Sequence, residues 1–107
     1  MEFDFRPTDD DWSQVENLCY NPHKYFDLGD GYEIVPLKSN SRIVSYKFNT
    51  PKNNFIINWD SQREVLNVSV ISNLPDQEDT SYDDKQDVYF AAQEIVNKLE
   101  DFYNSQY

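Results

Sequence analysis

Apolar residues recur along the chain with two different periods, one typical of helices and one typical of strands. Near the start, helical spacing separates the apolar side chains of Trp12, Val15, Leu18 and Cys19. Thr8 and the three aspartates that follow it predict the N-cap and the acidic first turn of this helix. Pro22 predicts that the helix ends before that residue.

A second and longer helix is predicted at the C-terminal end of the chain. Its apolar stripe comprises Val88, Ala91, Ala92, Ile95, Leu99 and Phe102. The polar stretch 75–85 precedes it, and Ser81 with Asp84 three residues later predicts its N-terminal cap. A stripe of this length needs a sheet on which to pack.

The middle of the chain changes to an alternating pattern that predicts four strands. We predict these strands over 32–38, 42–49, 54–59 and 65–71. The segment 42–49 alternates cleanly, and 54–59 and 65–71 each place three apolar residues on one face, which is typical of an antiparallel meander. Because Pro36 has no N–H to donate to a ladder, it predicts that the first strand lies at an edge.

The predicted architecture is a single α+β domain over residues 1–107, with element order α-β-β-β-β-α. Both helices are expected on the apolar face of one four-stranded antiparallel sheet. The opposite face is then expected to be exposed, and it carries Ile43, Ser45, Lys47, Asn54, Ile56, Asn58, Asn67, Ser69 and Ile71.

The net charge of the chain limits the classes of partner that this domain is expected to bind. Twenty acids against nine bases give 107 residues a net charge of −11, which repels nucleic acid and anionic lipid and favours a basic partner protein. The acids lie mainly at the two ends of the chain. Residues 1–30 carry −6 and residues 72–107 carry −7, whereas residues 31–71 carry +2.

Cysteine content and hydropathy give an expectation about location. Cys19 is the only cysteine, so an intramolecular disulfide is ruled out and a reducing compartment is favoured. The first residues lack the basic and apolar regions of a leader, and no stretch has the length of a membrane span. These features predict a cytoplasmic protein with no membrane partner.

Candidate catalytic groups are few. Cys19 and His23 have the spacing of a nucleophile and base on one helix, but Pro22 between them argues against that geometry. Paired carboxylates for acid–base catalysis are an open alternative, although most acids lie in polar stretches where burial does not raise a pKa. We therefore expect a protein that is not an enzyme.

Metal and cofactor motifs are equally sparse. One cysteine and one histidine supply too few ligands for a typical zinc site. Residues 76–87 have the length of a calcium-binding loop, but Ser81 stands where glycine is required and Asp87 where a glutamate is required. Gly29-Asp30-Gly31 is too short for a phosphate-binding loop and predicts a tight turn instead. We expect no metal and no cofactor.

Two surfaces predict binding. Clustered acids at the two predicted helix N-termini are expected to contact a basic protein, and the alternative is that they are solvated capping residues. These acids are Asp9, Asp10, Asp11, Asp83, Asp84 and Asp87. Ile43, Ile56 and Ile71 on the exposed sheet face predict a protein interface or a homodimer seam, the alternative being scattered surface residues.

Together these patterns predict a non-catalytic interaction module, such as an inhibitor, immunity protein, antitoxin or chaperone-like binder. A nucleic-acid mimic that blocks the basic groove of a DNA- or RNA-binding protein is a sharper form of this hypothesis. The alternatives are a binding platform on the sheet face and a small enzyme of unknown reaction. Direct nucleic-acid binding is not expected, because the middle of the chain carries only five dispersed bases: Lys38, Arg42, Lys47, Lys52 and Arg63.

Overall fold

The computed structural model describes residues 2–7, 12–20, 24–71 and 85–105. They form one antiparallel sheet and two helices. In chain order the elements are β1 (Glu2–Phe5), α1 (Ser13–Cys19), β2 (Phe26–Gly29), β3 (Tyr32–Pro36), β4 (Ile43–Asn49), β5 (Asn54–Asp60), β6 (Val65–Ile71) and α2 (Lys85–Ser105). The strand order in the sheet is β1-β6-β5-β4-β3-β2.

The core lies on one face of this sheet. Alternate residues of β4, β5 and β6 point to that face and are buried beneath the helices, as the alternating pattern predicts. The largest of these fully buried side chains are Tyr46, Phe48, Phe55, Ile57, Trp59 and Leu66. Aromatic residues fill much of this layer, which explains how a chain with few leucines forms a core.

Helix α2 crosses the sheet from one edge strand to the other. Its 21 residues span about 32 Å, and six strands span about 24 Å between their outer members. At its start, Tyr89 lies 5.9 Å from Phe5 of β1, and near its end Phe102 lies 5.2 Å from Phe26 of β2, between ring centroids. The predicted stripe is buried at Val88, Ala92, Ile95 and Leu99, together with Val96.

Helix α1 packs on the same face, against β4. Val15, Leu18 and Cys19 are buried, as the helical spacing predicts. The hydroxyl of the buried Tyr46 donates a hydrogen bond to the carbonyl oxygen of Leu18 at 3.3 Å. This bond satisfies the only polar atom of Tyr46's side chain within the core.

The sheet has six strands, so the prediction of four strands is wrong. Strands β1 and β2 have four residues each, and such short segments give a weak periodic signal. The prediction that the strand containing Pro36 lies at an edge of the sheet is also wrong, because this strand, β3, lies between β4 and β2. Strand β2 pairs with β3 only as far as Ile34, so Pro36 lies beyond the part of β3 that β2 covers.

Gly29-Asp30-Gly31 forms the tight turn between β2 and β3. All three residues have positive φ angles, at 81°, 53° and 84°, a region that favours glycine and tolerates aspartate. A Cβ atom at Gly31 would also lie 3.0 Å from Cγ of Pro51. The turn therefore depends on both glycines that the chain possesses.

Two predicted capping motifs lie outside the described residues, at Thr8 and at Ser81 with Asp84. Helix α1 begins after Trp12, which makes no side-chain capping bond. Neither described helix combines the length and the apolar character needed to traverse a lipid bilayer.

Candidate functional site

One face of the sheet carries no described helix, and we call it the open face. In β1, β4, β5 and β6 its side chains belong to Glu2, Asp4, Ile43, Ser45, Lys47, Asn49, Asn54, Ile56, Asn58, Asp60, Val65, Asn67, Ser69 and Ile71. This set contains every residue that alternation predicts for the exposed face. Asn54 differs from that prediction in being only 3% exposed.

Hydrogen bonds between neighbouring strands order the polar side chains of the open face. The Ser45 hydroxyl donates to Oδ1 of Asn58 at 2.6 Å, and Nδ2 of Asn67 donates to Oδ1 of Asp4 at 3.0 Å. These four residues lie in one row across the sheet. Cross-strand pairs of this kind fix side-chain positions, so the face presents an ordered polar surface.

The three isoleucines predicted as an interface all lie on the open face and are half-buried. Ile56 lies opposite Lys47 and Ser69, and Ile71 is its diagonal neighbour on β6. Ile43 lies opposite Asp60, towards the other end of β4. The sheet therefore brings two of the isoleucines together and separates them from the third by polar residues.

Two adjoining depressions lie at the β1 side of the open face. The larger has a volume of about 550 Å³ and is lined by Glu2, Asp4, Ile43, Asn58, Asp60, Arg63, Val65 and Asn67. The smaller has a volume of about 340 Å³ and is lined by Asp4, Arg6, Arg63, Val65 and Lys85. They share three residues and are therefore continuous. Volumes of this size suit small-molecule ligands.

Asp60 at the border of the larger depression is held as a carboxylate. A hydrogen bond from the Arg42 side chain is the main reason that its pKa is lowered, and the backbone N–H groups of Arg63 and Gln62 add to the effect. The Arg42–Asp60 ion pair is 3.1 Å long. Because a lowered pKa keeps the carboxyl group ionised at neutral pH, Asp60 is unsuited to act as a general acid.

Of the six predicted acidic binding residues, Asp87 is described, and it is exposed in the first turn of α2. Asp9, Asp10, Asp11, Asp83 and Asp84 lie outside the described residues. Their chain neighbours are described: Trp12 follows Asp11, and Lys85 follows Asp84.

These two neighbours meet at one place, which we call the aromatic corner: Phe5, Trp12, Lys85 and Tyr89. The rings of Phe5 and Trp12 stack with centroids 4.4 Å apart, and Tyr89 lies 5.8 Å from Trp12. The Lys85 ammonium lies 5.0 Å from the centroid of the Phe5 ring. Chain segments that are distant in sequence are thus joined by aromatic and cation–π contacts.

The described residues offer little for nucleophilic or metal chemistry. Burial, with a smaller contribution from Glu16, raises the pKa of the Cys19 thiol to about 12, so the thiol is protonated at neutral pH. His23, its proposed partner, lies outside the described residues. Within the ranges that the structure describes, no three histidine, cysteine or acidic side chains are grouped to hold a metal ion.

Cys19 is expected to react with a thiol reagent at least about tenfold more slowly in the folded protein than after unfolding in urea, because burial raises its pKa from 9.0 to about 12 and the loss of thiolate exceeds the gain in nucleophilicity of the more basic thiolate. Colour release from Ellman's reagent measures the rate. A cysteine placed at exposed Ser105 in a Cys19→Ala background is the control and is expected to react rapidly in the folded state. Equal rates for Cys19 and this control would restore the nucleophile hypothesis.

Sequence reasoning missed Glu2, Asp4, Arg6 and Lys85 as possible site residues. The alternation of Glu2-Phe3-Asp4-Phe5 is a strand signal that places both acids on one face, although it spans only four residues. No local signal joins Arg6 to Lys85, because their proximity depends on the pairing of β1 with β6 and on the position at which α2 begins.

Inference about function therefore depends on the charge and shape of the open face, the two depressions and the acidic segments. Comparison of the chain with protein-family models, with curated proteins and with solved structures finds no match.

Proposed function

We propose that this protein is a non-catalytic module that binds a basic partner protein through two acidic segments, residues 9–11 and 76–84. The observation that carries the proposal is the segregation of charge. Outside these two segments the chain carries twelve acids and all nine bases, a net charge of only −3. The other eight acids lie in the two segments, which contain no base.

The aromatic corner supports a common action of both segments. Asp11 and Asp84 are each bonded to a residue of that corner, and successive Cα atoms are about 3.8 Å apart. Exposed Asp87 lies in the first turn of α2, two residues after Lys85. Because both segments are continuous in sequence with residues that meet at this corner, we propose that they present one acidic surface to the partner.

A concentrated acidic patch speeds association with a basic surface and confers specificity. Inhibitors, immunity proteins, antitoxins and chaperone-like binders all use binding without catalysis, and they are the protein classes that we propose. A nucleic-acid mimic is a special case, in which the basic surface of the partner is itself a nucleic-acid groove.

The open face favours a second candidate function, a binding platform on the sheet. The described residues leave this face without a covering helix, and its polar rows end at the two depressions. Such a platform would bind a ligand through ordered polar side chains.

Replacing Asp9, Asp10, Asp11, Asp83 and Asp84 by asparagine is expected to abolish capture of a basic partner. The wild-type protein, immobilised on resin, is exposed to an extract of its own cells, and the retained proteins are identified by mass spectrometry. Binding of the purified partner is then measured over a series of salt concentrations, and its affinity is expected to fall steeply with salt.

The matched control replaces five acids away from the corner by their amides: Asp27, Asp30, Glu94, Glu100 and Asp101. Both variants change the net charge from −11 to −6, so total charge cannot explain a difference between them. We expect the control to retain the partner. Equal loss from both variants, salt-independent binding, or retention of no basic protein by the wild type would each refute the proposal.

A further inference from the structure

Three cationic side chains converge on the smaller depression. Arg6 follows β1, Arg63 lies in the turn between β5 and β6, and Lys85 is the first residue of α2. This convergence gathers a third of the chain's nine bases around about 340 Å³. Among the described residues, Asp4 is the acid that lines the same depression. Like charges placed together repel each other, so an anion bound between them would relieve an existing cost.

The side chains of the two arginines have no partner among the described residues. In the described part of the chain, the side chains of Arg6 and Arg63 make no hydrogen bond or ion pair, and both residues are exposed. The ammonium of Lys85 lies over the ring of Phe5 and makes no ion pair with a described residue. Asp4 already accepts a hydrogen bond from Asn67.

We propose that Arg6, Arg63 and Lys85 bind the phosphate group of a small phosphorylated sugar or polyol. Guanidinium groups present paired N–H donors that match phosphate oxygens. Among the described residues that line this depression, three bases and Asp4 sum to +2, which complements a phosphate monoester with about −1.5 to −2 charges at pH 7 better than it complements a single carboxylate.

The adjoining larger depression suits the organic part of such a ligand. Its walls carry the oxygen atoms of Glu2, Asp60 and Asn58 and the amide of Asn67, and Ile43 and Val65 add apolar surface. Carboxylate and amide groups hydrogen-bond to hydroxyl groups. The same carboxylates repel further phosphates, so the site is selective for a ligand with one phosphate at one end and excludes a nucleic-acid strand.

Lys85 adjoins the acidic segment 76–84, but binding of phosphate by these three bases does not require the proposed basic partner. The test is an NMR titration of ¹⁵N-labelled protein, observing the side-chain Nε–H groups of arginine, with inorganic phosphate, glucose 6-phosphate and glucose in turn. Phosphate is expected to shift the signals of Arg6 and Arg63 in a saturable manner. Glucose 6-phosphate is expected to bind more tightly than phosphate, and glucose alone to bind weakly, with shifts confined to the larger depression.

Substitutions localise the effect. Arg6→Gln and Arg63→Gln are each expected to weaken binding of glucose 6-phosphate about tenfold or more, the loss of one charge-assisted hydrogen bond. Lys52→Gln changes the charge equally at the β4–β5 turn and is expected to bind as the wild type does. Both arginines are exposed, so the amide spectrum should confirm that all variants are folded.

Three outcomes would overturn the proposal. The first is the absence of any saturable shift with phosphate or its ester. The second is wild-type affinity in both arginine variants. The third is an adventitious ion only, recognised by an equal shift at Arg42, which lines neither depression. If the acidic segments prove not to bind a basic partner, the result of this titration still stands, because the titration contains no partner protein.

Discussion

Replacing Phe5 with alanine is expected to lower the free energy of unfolding by about 3–5 kcal/mol, the usual cost of removing a buried phenyl ring. Phe5 is 2% exposed, stacks on Trp12 and lies beneath the ammonium of Lys85. A domain of this size has about 5–15 kcal/mol of stability in total. One substitution in a four-residue strand is thus expected to remove a large part of it.

Urea denaturation followed by tryptophan fluorescence measures this effect, because Trp12 and Trp59 are both buried. The matched control is Phe90→Ala, which removes the same ring from a position that is 58% exposed and is expected to change stability by less than about 0.5 kcal/mol. Phe5→Leu gives a measurable smaller loss if the alanine variant does not fold. Equal losses at Phe5 and Phe90 would mean that β1 is not part of the core.

The contrast between β1 and the central strands shows what the sequence reveals about this fold. Strands β4, β5 and β6 have seven residues each, long enough for alternation to identify both their existence and the face on which each side chain lies. The same alternation correctly assigned Ile43, Ser45 and Lys47 to the open face. The register of strand pairing keeps these side chains on that face, because a shift of one residue would turn every apolar side chain of the strand outwards.

Pairing between distant segments lies beyond such local patterns. Strand β1 joins the sheet only by pairing with β6, and β2 only through the turn at Gly29-Asp30-Gly31. The acidic segments 9–11 and 76–84 are evident from the sequence, since charge needs no knowledge of pairing, whereas Glu2 and Asp4 were missed as site residues. The meeting of Arg6, Arg63 and Lys85 required the complete topology, since one edge strand, one hairpin turn and one helix start contribute a side chain each.

Segregation of charge also has a consequence for folding. A net charge of −11 spread evenly over a compact domain would destabilise it by self-repulsion. Here twelve acids and nine bases outside residues 9–11 and 76–84 sum to only −3, and the Arg42–Asp60 ion pair lies among them. Self-repulsion within that part of the chain is therefore smaller than the total charge suggests.

The largest expected effect on folding is that of Ile57→Glu, and its matched control is the same substitution at the preceding residue. Ile57 is fully buried between Tyr46 and Val68 on the covered face. A glutamate there loses about 1.5–3 kcal/mol of apolar burial and also buries a carboxylate without a partner, which costs several kcal/mol more. We expect this variant to be unfolded at 25 °C.

Ile56→Glu is expected to stay folded and to change stability by about 1 kcal/mol or less. Its side chain lies on the open face directly opposite Lys47, and an opposite-charge pair across strands contributes about 0.2–1 kcal/mol, which offsets the lost burial of a half-exposed isoleucine. Far-UV circular dichroism during urea denaturation compares the two variants.

If both unfold, the open face is covered in the folded protein, and neither the sheet platform nor the phosphate site is tenable. If Ile56→Glu stays folded and also converts a wild-type dimer to a monomer in sedimentation, the open face is the homodimer seam that its isoleucines predict.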